Sequence, residues 1–139
     1  MRALLLLLAL TTLAAADVKV TQKQIVTDTI YFDTGKATIK TESYPTLDAV
    51  VAVFSTEKKL GLVEIGVHSD ARGNDKFNLE MSQKRANAVR DYLISKGVDG
   101  NRLRAKGYGE TRPLDKGSNE AAWAKNRRTE FVILQRKTT

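Results

Sequence analysis

Apolar and polar residues recur along this chain with two different periods, and segments of the two kinds alternate. Segments with alternating apolar residues, or rich in β-branched and aromatic residues, predict strands. They lie at 24–32, 60–69, 101–110 and 127–136. Segments with apolar residues three and four positions apart predict helices between these strands. The predicted order is therefore β-α-β-α-β-(α)-β, where the bracketed helix is a short one within 115–126.

Two of the predicted helices have a clear apolar face. The face of the first consists of Leu47, Val50, Val51 and Phe54. Pro45 is expected in its first turn, where a missing N–H costs nothing, with Ser43 or Thr41 as cap. The buried side of the second, longer helix is predicted to consist of Leu79, Ala86, Val89 and Leu93. This helix is expected to stop at Gly97.

The alternation of strands and helices predicts the fold class. Strands separated by helices pack as a sheet covered by those helices. We therefore expect an α/β fold, a two-layer sandwich in which two helices cover one face of a mixed β-sheet. A chain of 139 residues, 42% of them hydrophobic, suits one such domain and is short for two.

The first sixteen residues do not fit this pattern. The stretch "MRALLLLLALTTLAAA" has one basic residue, an apolar run and small residues at its end, the three parts of an export signal. The apolar run is shorter than the roughly 18 to 20 residues of a transmembrane helix, so cleavage before Asp17 is the prediction and no membrane span is expected. Residues 17–139 would then form the single domain, with 17–24 as a loose N-terminal arm.

The composition limits the classes of partner that the protein is expected to bind. The chain has 23 basic and 16 acidic residues, so loss of Arg2 with the signal would leave 22 basic residues and a net charge of about +6. Such a charge suits an anionic partner, and the export signal argues against nucleic acid. The chain has no cysteine, which excludes disulfides, a thiol nucleophile and lipid attachment to a cysteine. We expect a soluble periplasmic protein.

Several motifs in a fixed order carry a family resemblance. They are "YFDTGKATI", "HSDARG" followed by "FNLEMSQKRANAVRDYL", "GYGETRP" and "NRRTEF". Together they resemble the OmpA-like C-terminal domain, a peptidoglycan-binding module of the bacterial envelope, from about Ile30 to Ile133. The resemblance implies that Asp70 and Arg85 hold the diaminopimelate residue of the peptide stem. It also implies a binding role for Ser69, Asn78 and Arg127, and His68, Phe77 and Leu79 are candidates for a supporting role.

The chemistry of this ligand fits the charged pair. The free end of diaminopimelate carries an ammonium and a carboxylate on one carbon. Asp70 can accept hydrogen bonds from the ammonium, and the planar guanidinium of Arg85 can donate two to the carboxylate. The spacing of Asn78 and Arg85 places both on one side of the helix. A simpler interpretation of Asp70 and Arg85 is a structural ion pair that closes the loop onto the helix. Likewise Phe77 and Leu79 could serve only packing, and Arg127 could be a solvated charge at a strand end.

Other functions have weaker support in the sequence. His68 and Asp70 form an H-x-D pattern, but a single histidine without a second cluster favours a structural role, so no metal and no cofactor are expected. An enzyme would need a nucleophile, a metal or paired carboxylates, and only carboxylates such as Asp70 and Asp75 are available. No catalysis is expected. The alternative is an adaptor that binds other envelope proteins or a polyanion. Val67 stands where the family usually has glycine, and Ser69 where it usually has threonine.

Overall fold

A computed structural model describes residues 17–138 of the protein. The predicted signal segment, residues 1–16, lies outside the described residues. The described part of the chain forms five strands, β1 (Val18–Val20), β2 (Gln24–Thr27), β3 (Val63–His68), β4 (Leu103–Gly109) and β5 (Arg128–Ile133). Its three α-helices are α1 (Tyr44–Thr56), α2 (Asp75–Ser95) and α3 (Glu120–Asn126).

The strands form one mixed sheet in the order β1-β2-β5-β3-β4. β3 and β4 are parallel, and the remaining neighbours are antiparallel. The predicted α/β class and mixed sheet are therefore confirmed. Two details of the prediction are wrong at the N-terminus. Residues 18–20 are strand β1, paired with β2, and not a loose arm. The strand predicted over 24–32 ends at Thr27, which pairs with Val18, the first residue of β1.

The apolar core lies between the sheet and the helices. Val63, Ile65 and Val67 of β3 and Phe131 of β5 face it and are buried. The helices contribute the buried residues Leu47, Val50, Phe54, Ala86, Val89 and Leu93. All six of these helix residues belong to the faces predicted from the 3.6-residue period, so the periodicity identified the helix side of the core.

Leu79 is the exception on α2. Its side chain is 47% exposed, so the prediction that it lies on the buried side is wrong. The first turns of α2 run past the end of β4, where a side chain on Gly109 would lie 3.1 Å from the Cα of Leu79. Ser82 takes the inward position instead, and its hydroxyl accepts a hydrogen bond from the N–H of Gly109. A periodic pattern cannot show where the neighbouring strand ends.

α2 is held against β4 by close approach and by side-chain hydrogen bonds. A Cβ on Gly107 would overlap the backbone nitrogen of Gln83, so only glycine allows the helix this near. The Gln83 amide accepts from the N–H of Gly107 and donates to the carbonyl of Ala105. These bonds engage two backbone groups of the edge strand β4 and hold α2 beside it.

The start of α1 holds the loop that precedes it. Pro45 lies in the first turn, as predicted, and Ser43 occupies the cap position. The Ser43 hydroxyl does not cap the helix, however, because it accepts a hydrogen bond of 2.7 Å from the backbone N–H of Tyr31. Tyr31 and its neighbours are thereby anchored to α1. None of the helices in the described residues has the length and apolar content needed to cross a bilayer.

Candidate functional site

A cavity of about 540 Å³ lies at the end of the sheet where β3 stops and β5 begins. The loop after β2, the end of β3, one side chain of α2 and the start of β5 surround it. Its lining includes Tyr31, Phe32, Gly35, His68, Arg72, Arg85, Arg127 and Arg128. Four arginines in the lining make the cavity suited to an anionic group.

Asp70 is buried beside this cavity, in the loop directly after β3. It is 8% exposed. Its Oδ1 accepts hydrogen bonds from the backbone N–H of Arg72 at 3.0 Å and from Arg72 Nε at 3.1 Å. Its Oδ2 accepts from Arg72 Nη2 at 2.8 Å and from Arg127 Nη1 at 2.9 Å. A carboxylate has about four acceptor positions, so these four bonds engage the whole group.

These bonds set the protonation state of Asp70. The hydrogen bonds from Arg72, opposed in part by burial and aided by Arg127, lower the pKa of Asp70 from 3.8 to about 2. The carboxylate is therefore ionised at neutral pH. Because the folded state holds the charged form, the resulting stability is present above pH 3.8 and is lost as the pH falls through about 2.

Arg85 projects from α2 into the cavity and is held differently. Its Nε donates to the carbonyl of Lys36 at 2.8 Å, and Nη2 approaches the carbonyl of Asp33 at 3.3 Å. Its guanidinium carbon lies 4.9 Å from the centre of the Phe32 ring. Burial lowers the pKa of Arg85. Within residues 17–138 no carboxylate forms an ion pair with Arg85.

The structure therefore brings Asp70 and Arg85 to one region without pairing them. The simple ion pair between them that the sequence also allowed does not form. The loop is closed onto α2 by Asn78 instead, whose amide donates to the carbonyl of Arg72 at 2.8 Å and to Glu110 at 3.0 Å. Asn78 lies outside the cavity lining, so its place in the structure is that of a positioning residue for the loop.

Arg127 is the predicted site residue that the structure joins most directly to Asp70. Besides the bond to Asp70, its Nη2 donates to Glu120 at 2.6 Å. It lines the cavity and is 42% exposed. Arg127 is thus fixed by carboxylates on two sides, and it is not a free solvated charge at the strand end.

His68 and Ser69 are unusual because they contain buried polar atoms that lack partners. Both ring nitrogens of His68 and the Oγ of Ser69 find no hydrogen-bond partner in the described residues. The His68 ring stacks on Tyr108 at 4.9 Å, and its Nε2 lies 3.4 Å from Glu130. Burial and the charge of Arg128 lower the pKa of His68 to about 4, so the ring is neutral at pH 7. Ser69 is held to the end of β4 by its backbone N–H, which donates to Gly109.

Phe77 and Leu79 lie outside this cavity. Phe77 is 53% exposed, and its backbone N–H is bound by the Asn74 side chain that caps α2. Leu79 lines a second, smaller cavity of about 320 Å³ with Tyr108 and Glu110. Neither residue supports Asp70 or Arg85 by contact, so the structure gives no support for the role considered for them.

Sequence reasoning missed Arg72, Phe32 and Trp123. Arg72 makes most of the bonds to Asp70, and its guanidinium carbon lies 4.3 Å from the centre of the Trp123 ring. The signal available was the Asp-x-Arg spacing in "HSDARG", since an arginine two residues after an aspartate can bond back to it across a turn. Phe32 lies in the motif "YFDTGKATI", which gave it no role, and no local pattern marks Trp123. Both reach the site from distant segments.

Residues 31–127 match the model of the OmpA family. This chain belongs to the OmpA family. The match includes Asp70, Arg85 and Arg127, which is its last residue. The family resemblance inferred from the motifs is thereby confirmed.

Two curated relatives share the name peptidoglycan-associated lipoprotein. The one from Rhizobium meliloti is 37% identical over 108 residues, which cover 78% of this chain and 61% of the relative. The one from Haemophilus influenzae is 39% identical over 101 residues, 73% of this chain and 65% of the relative. The chain thus spans less than two thirds of the length of these proteins.

Solved structures of the same kind superpose on the fold. The peptidoglycan-associated lipoprotein of Burkholderia pseudomallei is 30% identical, with a TM-score of 0.66 over 75% of this chain and 87% of that one. The cell wall anchor of the type VI secretion system of Pseudomonas aeruginosa is 26% identical, with a TM-score of 0.70 over 86% of this chain and 87% of that one. The sheet with its helices is therefore the fold of this OmpA-family group.

Proposed function

We propose that this protein binds peptidoglycan in the periplasm, without catalysis, by holding the diaminopimelate residue of a peptide stem in the arginine-lined cavity. The observation that carries the proposal is the state of Arg85. It is a half-buried guanidinium that lines the cavity and has no carboxylate partner in the described chain. A buried charge without a counter-ion is costly, and an incoming carboxylate removes that cost.

The geometry of Arg85 suits a carboxylate in particular. The carbonyls of Lys36 and Asp33 engage Nε and one N–H of Nη2. A guanidinium has five N–H donors, so three remain for a ligand. Two of them can bind one carboxylate as a fork, which a lysine ammonium could not do. Arg72 and Arg127 line the same cavity and add positive potential around this position.

Asp70 supplies the complementary charge in the proposal. It is the buried carboxylate at this end of the sheet, and its pKa of about 2 keeps it ionised. It can attract the ammonium that stands beside the carboxylate of diaminopimelate. The ring of Phe32 lies beneath the Arg85 guanidinium and offers an apolar surface to the aliphatic chain of the ligand. The names of the relatives, peptidoglycan-associated lipoproteins and a cell wall anchor, support the same function.

Co-sedimentation with purified sacculi tests the proposal. The protein from Asp17 onwards should sediment with the wall, and the Arg85→Ala variant should lose at least about tenfold in affinity, because one charged hydrogen-bonding group is removed. Lys84→Ala is the matched control, since this exposed lysine on the same helix carries the same charge and lies outside the cavity lining. It should sediment like the wild type.

Competition separates the proposal from the adaptor or polyanion alternative. Free diaminopimelate should release the protein from sacculi, whereas heparin at the same charge concentration should release little. Equal sedimentation of wild type, Arg85→Ala and Lys84→Ala, with release by heparin alone, would refute recognition through Arg85.

A further inference from the structure

The four hydrogen bonds to Asp70 raise a difficulty for any ligand ammonium. Arg72 provides three of them, from its backbone N–H, Nε and Nη2, and Arg127 provides the fourth. A ligand that brings an ammonium to this carboxylate must therefore replace a donor that is already there. The identity of that donor determines how the site selects its ligand.

We infer that the Arg72 side chain is an internal competitor for Asp70, which must leave the carboxylate before a ligand ammonium can bind there, and that it thereby sets the selectivity of the cavity for zwitterionic ligands. The inference rests on the proposed function and adds to it a specificity-determining residue. In the exchange, a ligand ammonium replaces the Arg72 guanidinium at the two carboxylate oxygens of Asp70.

The surroundings show why Arg72 leaves and Arg127 stays. The Arg72 side chain is 52% exposed, and Asp70 is its only ion-pair partner in the structure of residues 17–138. Arg127 is also bound to Glu120 at 2.6 Å, so its removal would break a second charged contact. Arg72 would give up one carboxylate and Arg127 would give up one of two, which makes the more exposed Arg72 side chain the easier of the two to displace.

An Arg72 side chain displaced from Asp70 can keep its contact with Trp123. Its guanidinium carbon already lies 4.3 Å from the centre of the Trp123 ring. A cation over an indole face is stabilised whether or not it also touches a carboxylate. The side chain can therefore turn away from Asp70 while remaining on Trp123, which lowers the cost of the exchange.

The exchange leaves the orientation of the Asp70 carboxylate unchanged. The backbone N–H of Arg72 still donates to Oδ1 at 3.0 Å, and Arg127 still donates to Oδ2 at 2.9 Å. Departure of Nε and Nη2 frees one acceptor position on each oxygen. An ammonium has three N–H donors and can occupy both positions. The site thus changes partner without rearranging its backbone.

Two stem peptides and one substitution test this inference. One peptide ends in diaminopimelate, and the other carries 2-aminopimelate, which keeps the distal carboxylate but lacks the distal ammonium. In the wild type the two should bind within about threefold of each other, because the ammonium gains Asp70 only by displacing Arg72. In Arg72→Gln the diaminopimelate peptide should bind up to about fivefold more tightly, while the aminopimelate peptide should change less than about twofold.

The control substitution is Arg112→Gln. Arg112 is also exposed, and its guanidinium stacks on Tyr108 at 4.1 Å outside the cavity lining. This variant loses the same charge and should bind both peptides like the wild type. NMR provides a readout within the wild type, since the Arg72 Nε–H signal should lose its hydrogen-bonded shift with diaminopimelate peptide and keep it with aminopimelate peptide.

The outcomes distinguish this inference from the proposed function. Weaker binding of both peptides to Arg72→Gln would mean that Arg72 holds a ligand carboxylate, which overturns the inference and leaves the proposed function standing. An unchanged Arg72 signal in the saturated wild type would overturn it too. If the wild type and Arg72→Gln bind neither peptide, the proposed function itself fails.

Discussion

Asp70 and Arg85 belong to the same end of the sheet, but their charges are held in opposite ways. Asp70 accepts four hydrogen bonds from two arginines, and its charge is fully matched within the protein. Arg85 donates only to backbone carbonyls, and no carboxylate in the described chain matches its charge. The comparison teaches that Asp70, without a ligand, is engaged in ordering its loop and can bind a ligand only by exchange, whereas Arg85 has donors left for a ligand.

Acid should lower the stability of the protein in two steps, first through His68 and then, at lower pH, through Asp70. Burial lowers the pKa of His68 from 6.5 to about 4, so the folded state disfavours the charged ring. The free energy of unfolding should not depend on the titration of this group above pH 6.5, and it should decrease as the pH falls from 6.5 through about 4. The loss amounts to about 3 kcal/mol at most, and chemical denaturation at a series of pH values measures it.

His68→Phe is the matched variant for this measurement. Phenylalanine keeps the stack on Tyr108 and removes two ring nitrogens that have no partners in residues 17–138. It should abolish the slope between pH 6.5 and 4 and leave the stability at pH 7 close to that of the wild type. A slope that persists in His68→Phe would assign it to another group.

The next largest effect is expected from Asp70→Asn. This change removes the charge that Arg72 and Arg127 share and should lower the free energy of unfolding at pH 7 by about 2 kcal/mol. It should also remove the loss of stability that the wild type shows as the pH falls from 3.8 through about 2. Arg85→Ala is the comparison, since it should cost less than about 1 kcal/mol by denaturant titration. A larger cost for Arg85→Ala than for Asp70→Asn would reverse the assignment of roles.

Substitution of Arg72 should have the smallest effect on stability. In Arg72→Gln the backbone N–H at this position still binds Asp70, and Arg127 remains in place. The melting temperature should fall less than in Asp70→Asn, because the carboxylate keeps its charge and two of its four donors. Calorimetry checks this expectation. A much larger fall would show that Arg72 is part of the fixed structure of the loop and not an exchangeable partner.

The sequence predicted the parts of the fold that depend on local periodicity. The faces of α1 and most of α2, the strands β3, β4 and β5 and the stop near Gly97 all follow from spacing and from turn residues, and φ at Gly97 is +105°. Strand β1 was missed because three residues carry too little alternation to distinguish a strand from an arm. Leu79 was misplaced because its exposure depends on where β4 ends.

Only those residues of the candidate site that the family motifs mark could be predicted from the sequence. The family motifs identified Asp70, Arg85 and Arg127, which the fold brings to one cavity or its wall. They did not reveal that the Arg72 side chain donates hydrogen bonds to both carboxylate oxygens of Asp70. Nor did they reveal that the partners of Arg85 are backbone carbonyls, because Asp33 and Lys36 lie about fifty residues away in the chain and only the tertiary fold brings them near.

Titration with three stem peptides at one fixed salt concentration tests the central claim, that Arg85 recognises the distal carboxylate of diaminopimelate. The peptides carry diaminopimelate, diaminopimelate amidated at that carboxylate, and lysine, which keeps the ammonium and lacks the carboxylate. The wild type should bind the first at least about tenfold more tightly than the other two, a difference of about 1.4 kcal/mol. Arg85→Ala should bind all three equally weakly. Equal affinity of the wild type for all three peptides would contradict the claim and assign binding to the basic surface.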